Sequence, residues 1–251
     1  MSRPAGHGTL VATQLAMDLR LTLRRGENLL VTAVVPAGVL LFFASVPVHA
    51  FDGAGGPVDF LLPGTIALAV IATGLVSLGI TTAYERHYGV LKRLGGSPLG
   101  RGHLVVARLG AVLLVEIAQV ALLVAIAVGP LGWSPPPGGS PVLVIVALGL
   151  GTAAFAGIGL LLAGTLRAEA TLALANGLFL GSLLLGGILL PTERLPGPLA
   201  AIAGVLPPAP LADVLRVGFG TATADATGQL AILGAWAAGS LVATARTFRW
   251  D

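Results

Sequence analysis

The sequence predicts an all-α integral membrane protein with six transmembrane helices, and three observations carry that expectation. Of 251 residues, 55% are hydrophobic and only 10% charged, with a mean hydropathy of +0.94; a soluble domain carries roughly 25% charged residues. Apolar runs of about 20 residues, the length that crosses a bilayer, recur along the chain. Lys and Arg collect at alternate ends of these runs, as topology signals do. The runs leave no room for a separate soluble domain, so residues 1–251 read as one transmembrane domain.

Residues 1–9 are short, polar and Gly-containing, and read as disordered. Residues 10–25 form an amphipathic helix with Val11, Leu15, Leu19 and Leu23 on one stripe and Arg20 and Arg24 beside it. It reads as an interfacial helix whose arginines face anionic headgroups. The first span is 29–46. Val48-His49-Ala50 resembles a signal-peptidase site, but the 28 residues before the apolar run are too long for a signal leader. Asp52 and Asp59 fall in the Gly-rich loop that follows.

The second span, 60–83, runs uncharged into Tyr84–Pro98, YERHYGVLKRLGGSP. At the helical period, Val90, Leu94, His87, Leu91, Tyr84 and Tyr88 share an arc of roughly 160°, with Lys92, Glu85, Arg93 and Arg86 opposite. This predicts one short amphipathic helix over 84–94. Gly95-Gly96-Ser97-Pro98 ends it, because glycine weakens a helix and the residue before proline avoids the α region.

The third span, 104–128, follows Arg101, His103 and Arg108 and carries Glu116 and Gln119. An uncharged turn with Pro135-Pro136-Pro137 leads to spans four (142–166) and five (170–190). The tight loop between these two holds Arg167 and Glu169 and makes them antiparallel neighbours. Between 191 and 228, the pieces Leu199–Leu206 and Leu211–Phe219 are too short to cross and read as re-entrant or outer-leaflet helices. The sixth span is 230–247. With both ends cytoplasmic, twelve Lys and Arg lie inside and two, Arg194 and Arg216, outside.

Several function classes are excluded or disfavoured. A net charge of +3 without an aromatic-interleaved basic patch argues against nucleic acid, despite a pI of 10.2. No cysteine is present, so disulfides, thiol nucleophiles and thiolate metal sites are out. Gly95…Gly100-Arg101-Gly102 lacks the lysine and hydroxyl of a nucleotide-binding loop. No H-E-x-x-H occurs, and the Ser77 region misses G-x-S-x-G by one position, which disfavours an intramembrane hydrolase.

Glu116 is the one acidic residue deep in a predicted span, one turn from Gln119. Such a group marks a substrate path or proton site, or else bonds a neighbouring helix, with Asn176 or a threonine as partner. Small-residue pairs at Ala153/Gly157, Gly159/Ala163, Gly177/Gly181 and Gly234/Ala238 permit close helix approach.

Glu85-Arg86-x-x-Gly89-x-Leu91-Lys92-x-Leu94-x-x-x-Pro98, set between the second and third of six spans, resembles the cytoplasmic signature of ABC-2 type transporter permeases. The amphipathic N-terminal helix, Pro36 early in the first span and the irregular helices before the last span resemble the same family. His87 stands where an acidic residue is frequent, and Val90 where threonine is frequent. The resemblance implies a permease subunit that binds no cofactor itself and pairs with a second copy or a related permease. Each permease would dock on a separate ATPase that uses ATP and Mg. Tyr84, Glu85, Arg86, Tyr88, Gly89, Leu91, Lys92, Leu94 and Pro98 would couple to that ATPase, and Glu116, Gln119 and Asn176 would line a translocation path. Thirteen Arg to one Lys is a composition of GC-rich bacterial coding, which places the subunit in a bacterial cell membrane. The nearly charge-free spans suit export of an amphiphilic or hydrophobic substrate; a proton-coupled secondary transporter using Glu116 is the alternative.

Overall fold

The computed structural model describes residues 7–24, 26–46, 56–95 and 100–248. Of the residues named above, Arg25, Val48-His49-Ala50, Asp52 and Gly96-Ser97-Pro98 lie outside them. The helices are α1 (His7–Arg24), α2 (Gly26–Ser45), α3 (Pro57–Ile71), α4 (Leu78–His87), α5 (Val90–Gly95), α6 (Arg101–Val128), α7 (Pro141–Thr165), α8 (Ala168–Leu185), α9 (Gly197–Val205), α10 (Pro208–Gly218) and α11 (Thr227–Thr247). Among the described residues there is no strand. Five continuous helices among the described residues are long and apolar enough to cross a membrane: Pro57–His87, Gly102–Val128, α7, α8 and α11. The described apolar part of α2 is Val31–Ser45, and α9 and α10 form a pair bent by 74°.

The centre of the bundle is α3, buried at every residue from Leu61 to Ile71. It is apolar all round, which is the pattern of a helix enclosed by others rather than one facing lipid. α2, α6, α7 and α10 pack around it. α3 passes into α4 through a π-helical stretch, Ala72–Ser77, so the second span is one 31-residue helix ending at His87.

α7 is the other organising element. A Cβ on Gly159 would lie 2.8 Å from the Gly74 carbonyl oxygen, and one on Gly157 would run into Ser240 Oγ on α11. Thr244 of α11 donates to the Gly157 carbonyl at 2.9 Å. Two of the predicted small-residue positions therefore sit at helix crossings, where glycine lets backbones meet. At Gly177, Gly181 and Gly234, by contrast, an added methyl would find nothing within 4 Å, so these glycines border open space.

Several expectations need correction. The predicted helix 84–94 is two pieces: α4 ends at His87, Gly89 takes φ +70°, and α5 starts at Val90. The Gly89 N–H bonds the Arg86 carbonyl at 3.0 Å, a left-handed helix end that glycine adopts without a Cβ clash. The single apolar arc drawn through Tyr84 and Leu91 therefore does not exist. The fifth span stops at Leu185, not 190, because Gly186 caps it and Gly187 turns with φ +65°. Asp59 is not in a loop: Pro57 opens α3 and places Asp59 in its first turn. On α1, Leu23 is 60% exposed; the inward face instead alternates apolar Val11, Leu15 and Leu19 with polar Gln14, Asp18 and Thr22. Finally, α10 is not a surface piece: it is buried along most of its length against α3, α7 and α11.

Leu91, Leu104, Leu160 and Phe248 form a small buried cluster with Leu10 packed against it. This cluster gathers the start of α1, the α5 turn and the residue after α11 at one end of the bundle.

Candidate functional site

The site is the end of the bundle where α4 turns into α5. Leu91 is fully buried and anchors α5 on Leu104, Leu160 and Phe248. With that side chain fixed inward, its neighbours point outward: Tyr88 is 70% exposed, and His87, Val90, Lys92 and Arg93 are exposed beside it. Tyr84 and Tyr88 stack, ring centroids 6.2 Å apart, and His87 meets Tyr88 edge-on at 5.2 Å. The corner is thus a basic and aromatic projection on a packed base.

Two of the predicted surface contacts are turned into the bundle instead. Glu85 accepts a hydrogen bond and ion pair from Arg108 Nη2 of α6, while Arg108 Nη1 donates to Thr82. Arg86 donates to the Leu166 carbonyl at the end of α7. The adjacent acid and base therefore pin the corner to two different spans. Charge-assisted bonds of this kind are the stronger ones, and they fix the direction in which α4 leaves the membrane.

Asp18 of α1 completes this polar group. Asp18, Glu85, Arg108, Thr22, Thr73 and Thr81 line one crevice of about 70 Å³. Gln14 donates to Asp18 Oδ1 at 2.8 Å. Burial raises the Asp18 carboxyl above its usual value; Arg108 and the Gln14 bond offset this in part, and Glu85 adds to it. Sequence reasoning misses both residues as members of a site, since Arg108 reads as a topology charge and Asp18 as part of an interfacial helix. The available signals are weak: a cation inside the second turn of a span, and the i, i+4 run Gln14, Asp18, Thr22.

A second polar group lies deep in the bundle. Glu116 is fully buried and Gln119 is 5% exposed. Thr73, in the π stretch, donates to Gln119 Oε1 at 3.0 Å, and Gln119 Nε2 donates to Thr32 of α2 at 3.1 Å. Glu116 bonds Thr152 of α7, whose hydroxyl is also 2.7 Å from the Leu148 carbonyl. Thr152 has one hydroxyl hydrogen for two acceptors. A protonated Glu116 donating to Thr152, with Thr152 donating to Leu148, gives each of these two bonds a hydrogen, while Glu116 Oε1 is buried without a partner. Threonines are thus the interhelical partners, one of the two options open at the level of sequence. Asn176 is not brought to the group: it is exposed on α8 and donates to the Leu172 carbonyl of its own helix at 2.9 Å.

At the opposite end, Trp133 Nε1 donates to Asp59, and Arg216 holds Asp213 at 2.7 Å, the Gly187 carbonyl, and the face of Phe60 at 4.1 Å. These contacts tie α10 and the turn after α8 to the start of α3. Among the described residues, no group of three or more His, Asp or Glu is placed to hold a metal ion. Leu94 belongs to α5 and Pro98 lies outside the described residues.

None of the curated proteins compared with the chain matches it. The family comparison, by contrast, matches residues 10–219, from the second turn of α1 to the end of α10. That range takes in the α4–α5 corner, the Arg108 group and the bent α9–α10 pair. The matching family, the ABC-2 type transporter, is one of transmembrane permeases and not of ATP-binding domains. The chain therefore belongs to the ABC-2 type transporter family, as a membrane-spanning permease component of an ABC transporter.

Proposed function

We propose that this permease exports an amphiphilic or hydrophobic substrate, driven by a separate ATPase that docks on the α4–α5 corner. The observation that carries this is the division of labour within the corner. Leu91, Glu85 and Arg86 bind it to the bundle, while Tyr88, Val90, Lys92 and Arg93 are left on the outside of the turn. A projection that is rigid behind and exposed in front transmits force in both directions. The partner ATPase uses ATP and Mg, and this chain binds neither.

In this reading the corner and both chain ends are cytoplasmic, in a bacterial cell membrane, and α9 and α10 face outside. A second permease copy, or a related one, completes the pathway. We place that pairing on α8, the least buried of the five described spans, with Gly177 and Gly181 open along it. ATP-driven closure of the ATPases moves the corner, and the continuous Pro57–His87 helix carries the movement to the middle of the bundle.

The test is copurification of the tagged permease in mild detergent. A P-loop ATPase that comes with the native chain and is lost with K92E/R93E supports the reading. A proton-coupled carrier is the second reading, favoured by the donor accounting at Glu116. It predicts transport that follows the proton gradient, fails in E116Q and needs no ATPase.

A further inference from the structure

Arg108 is 5% exposed, and its guanidinium donates from Nη1 to Thr82 and from Nη2 to Glu85. The third group, Nε, is buried and has no partner. Asp18 lines the same crevice, and it too is half satisfied. Oδ1 accepts from Gln14 at 2.8 Å, while Oδ2 is buried without a donor. An unpaired buried donor and an unpaired buried acceptor of opposite charge thus belong to two residues that line one crevice. Buried polar groups are as a rule partnered, so each of these two atoms has bonding capacity left over in this arrangement. The crevice that Asp18 and Arg108 both line has a volume of about 70 Å³. Asp18 and Arg108 also lie close enough to act on each other electrostatically, with Glu85 as the competing charge.

We propose that Arg108 is a positioning residue that joins the interfacial helix α1 to the α4–α5 corner, by closing its free Nε on Asp18 Oδ2 in a second state of the permease. In the open state the clasp is half made: α6 holds α4 through Glu85 and leaves the α1 carboxylate unclaimed. In the closed state one guanidinium holds α1, α4 and α6 together. Glu85 lies two residues before His87, where the exposed corner begins, so displacement of the corner acts directly on the guanidinium. A shift of α4 that turns Arg108 toward α1 draws Asp18 in, and the interfacial helix then follows the corner. The inference rests on the proposed role of that corner, but its test does not involve a partner ATPase.

The chain has no cysteine, so two introduced thiols are the only ones present. Met17, 54% exposed on α1, and His87, exposed at the end of α4, are suitable sites for spin labels. The separation in M17C/H87C is read by pulsed electron resonance on the permease alone in lipid nanodiscs. The expected result is two populations, of which the shorter is lost in D18N and retained in D18E, which keeps the carboxylate. E85Q, which weakens the competing claim on Arg108, enlarges the shorter population. A single separation, or a distribution unchanged by D18N, overturns the proposal. D18N replaces one oxygen by a nitrogen, and elution of each variant as the same monodisperse species shows that folding is not what changed. Failure of the ATPase copurification with these distances behaving as expected would overturn the docking role and leave the clasp standing.

Discussion

Glu85 and Arg108, twenty-three residues apart in sequence, form an ion pair that fastens the end of the second span to the beginning of the third. Side-chain exposures of 18% and 6% put the pair mostly out of water. Removing one member leaves the other charge buried and uncompensated, which is the costly way to break such a pair. R108A is expected to lower stability by about 3 kcal/mol. E85A should cost at least as much, because the charge it leaves behind, Arg108, is the more buried of the two. The E85A/R108A double variant should recover part of the loss. Denaturant titrations of all four proteins in one detergent give the coupling energy, and strict additivity would show that the pair does not act as a unit.

The contact between α7 and the second span gives a prediction of a different kind. A methyl on Gly159 meets the carbonyl oxygens of Gly74 and Leu75 at 2.8 and 2.9 Å, both backbone atoms that cannot rotate away. G159A should therefore destabilise by about 1–3 kcal/mol, the usual cost of overpacking. Gly177, on the open side of α8, has nothing within 4 Å. G177A should leave the monomer unharmed or slightly more stable, since alanine favours a helix by about 1 kcal/mol over glycine. Thermal unfolding of both variants in the same detergent decides the matter, and equal losses would contradict the close crossing at Gly159.

The spans are legible in the sequence because lipid imposes a length and a polarity on each of them, and both are local properties of the chain. Pairings are not, because no local pattern says which helix a side chain meets. Arg108 passes for a topology charge since its partner lies beyond a helix end and a loop. Glu116 and Gln119 are recognisable as anomalies, being polar where charge is expensive, yet their threonine partners remain one of two open readings. Asn176 looks equivalent by the same criterion. The structure separates it, because a residue on a span can face either the bundle or lipid, and α8 is mostly uncovered. Gly89 fits a helix as far as sequence goes, since one glycine costs little there; its left-handed φ shows that it ends the helix instead.

Asp18 should make stability respond to mild acid. Its folded value is raised above the usual 3.8, chiefly by burial, so the native protein holds this proton more readily than the unfolded chain. The contribution is therefore fully present below the usual value and is lost as pH rises through the raised one. D18N cannot titrate. As pH is lowered from neutrality toward the carboxylate range, the melting temperature of the native sequence should gain on that of D18N. A difference that stays flat, or moves in favour of D18N, would mean that Asp18 is better solvated than its place in the crevice indicates.

The α4–α5 corner separates what holds it from what it offers, and substitutions should divide the same way. Leu91 has no exposed surface and packs on Leu104, Leu160 and Phe248. L91A removes buried methyl groups and should cost about 2–5 kcal/mol in stability, with any loss of ATPase association secondary to a loosened corner. Lys92 and Arg93 are exposed and Tyr88 is 70% exposed, so Y88A and K92E/R93E should leave unfolding within about 0.5 kcal/mol of the native protein. If an ATPase docks here, those same variants should weaken its association, and K92E/R93E should do so most strongly at low salt, where opposite charges attract over longer distances. The measurement is paired: unfolding of the permease alone, and the amount of ATPase retained at two salt concentrations. Association lost in L91A but intact in both surface variants would place the docking surface elsewhere. Stability lost in the surface variants would mean that these side chains belong to the fold and not to a partner.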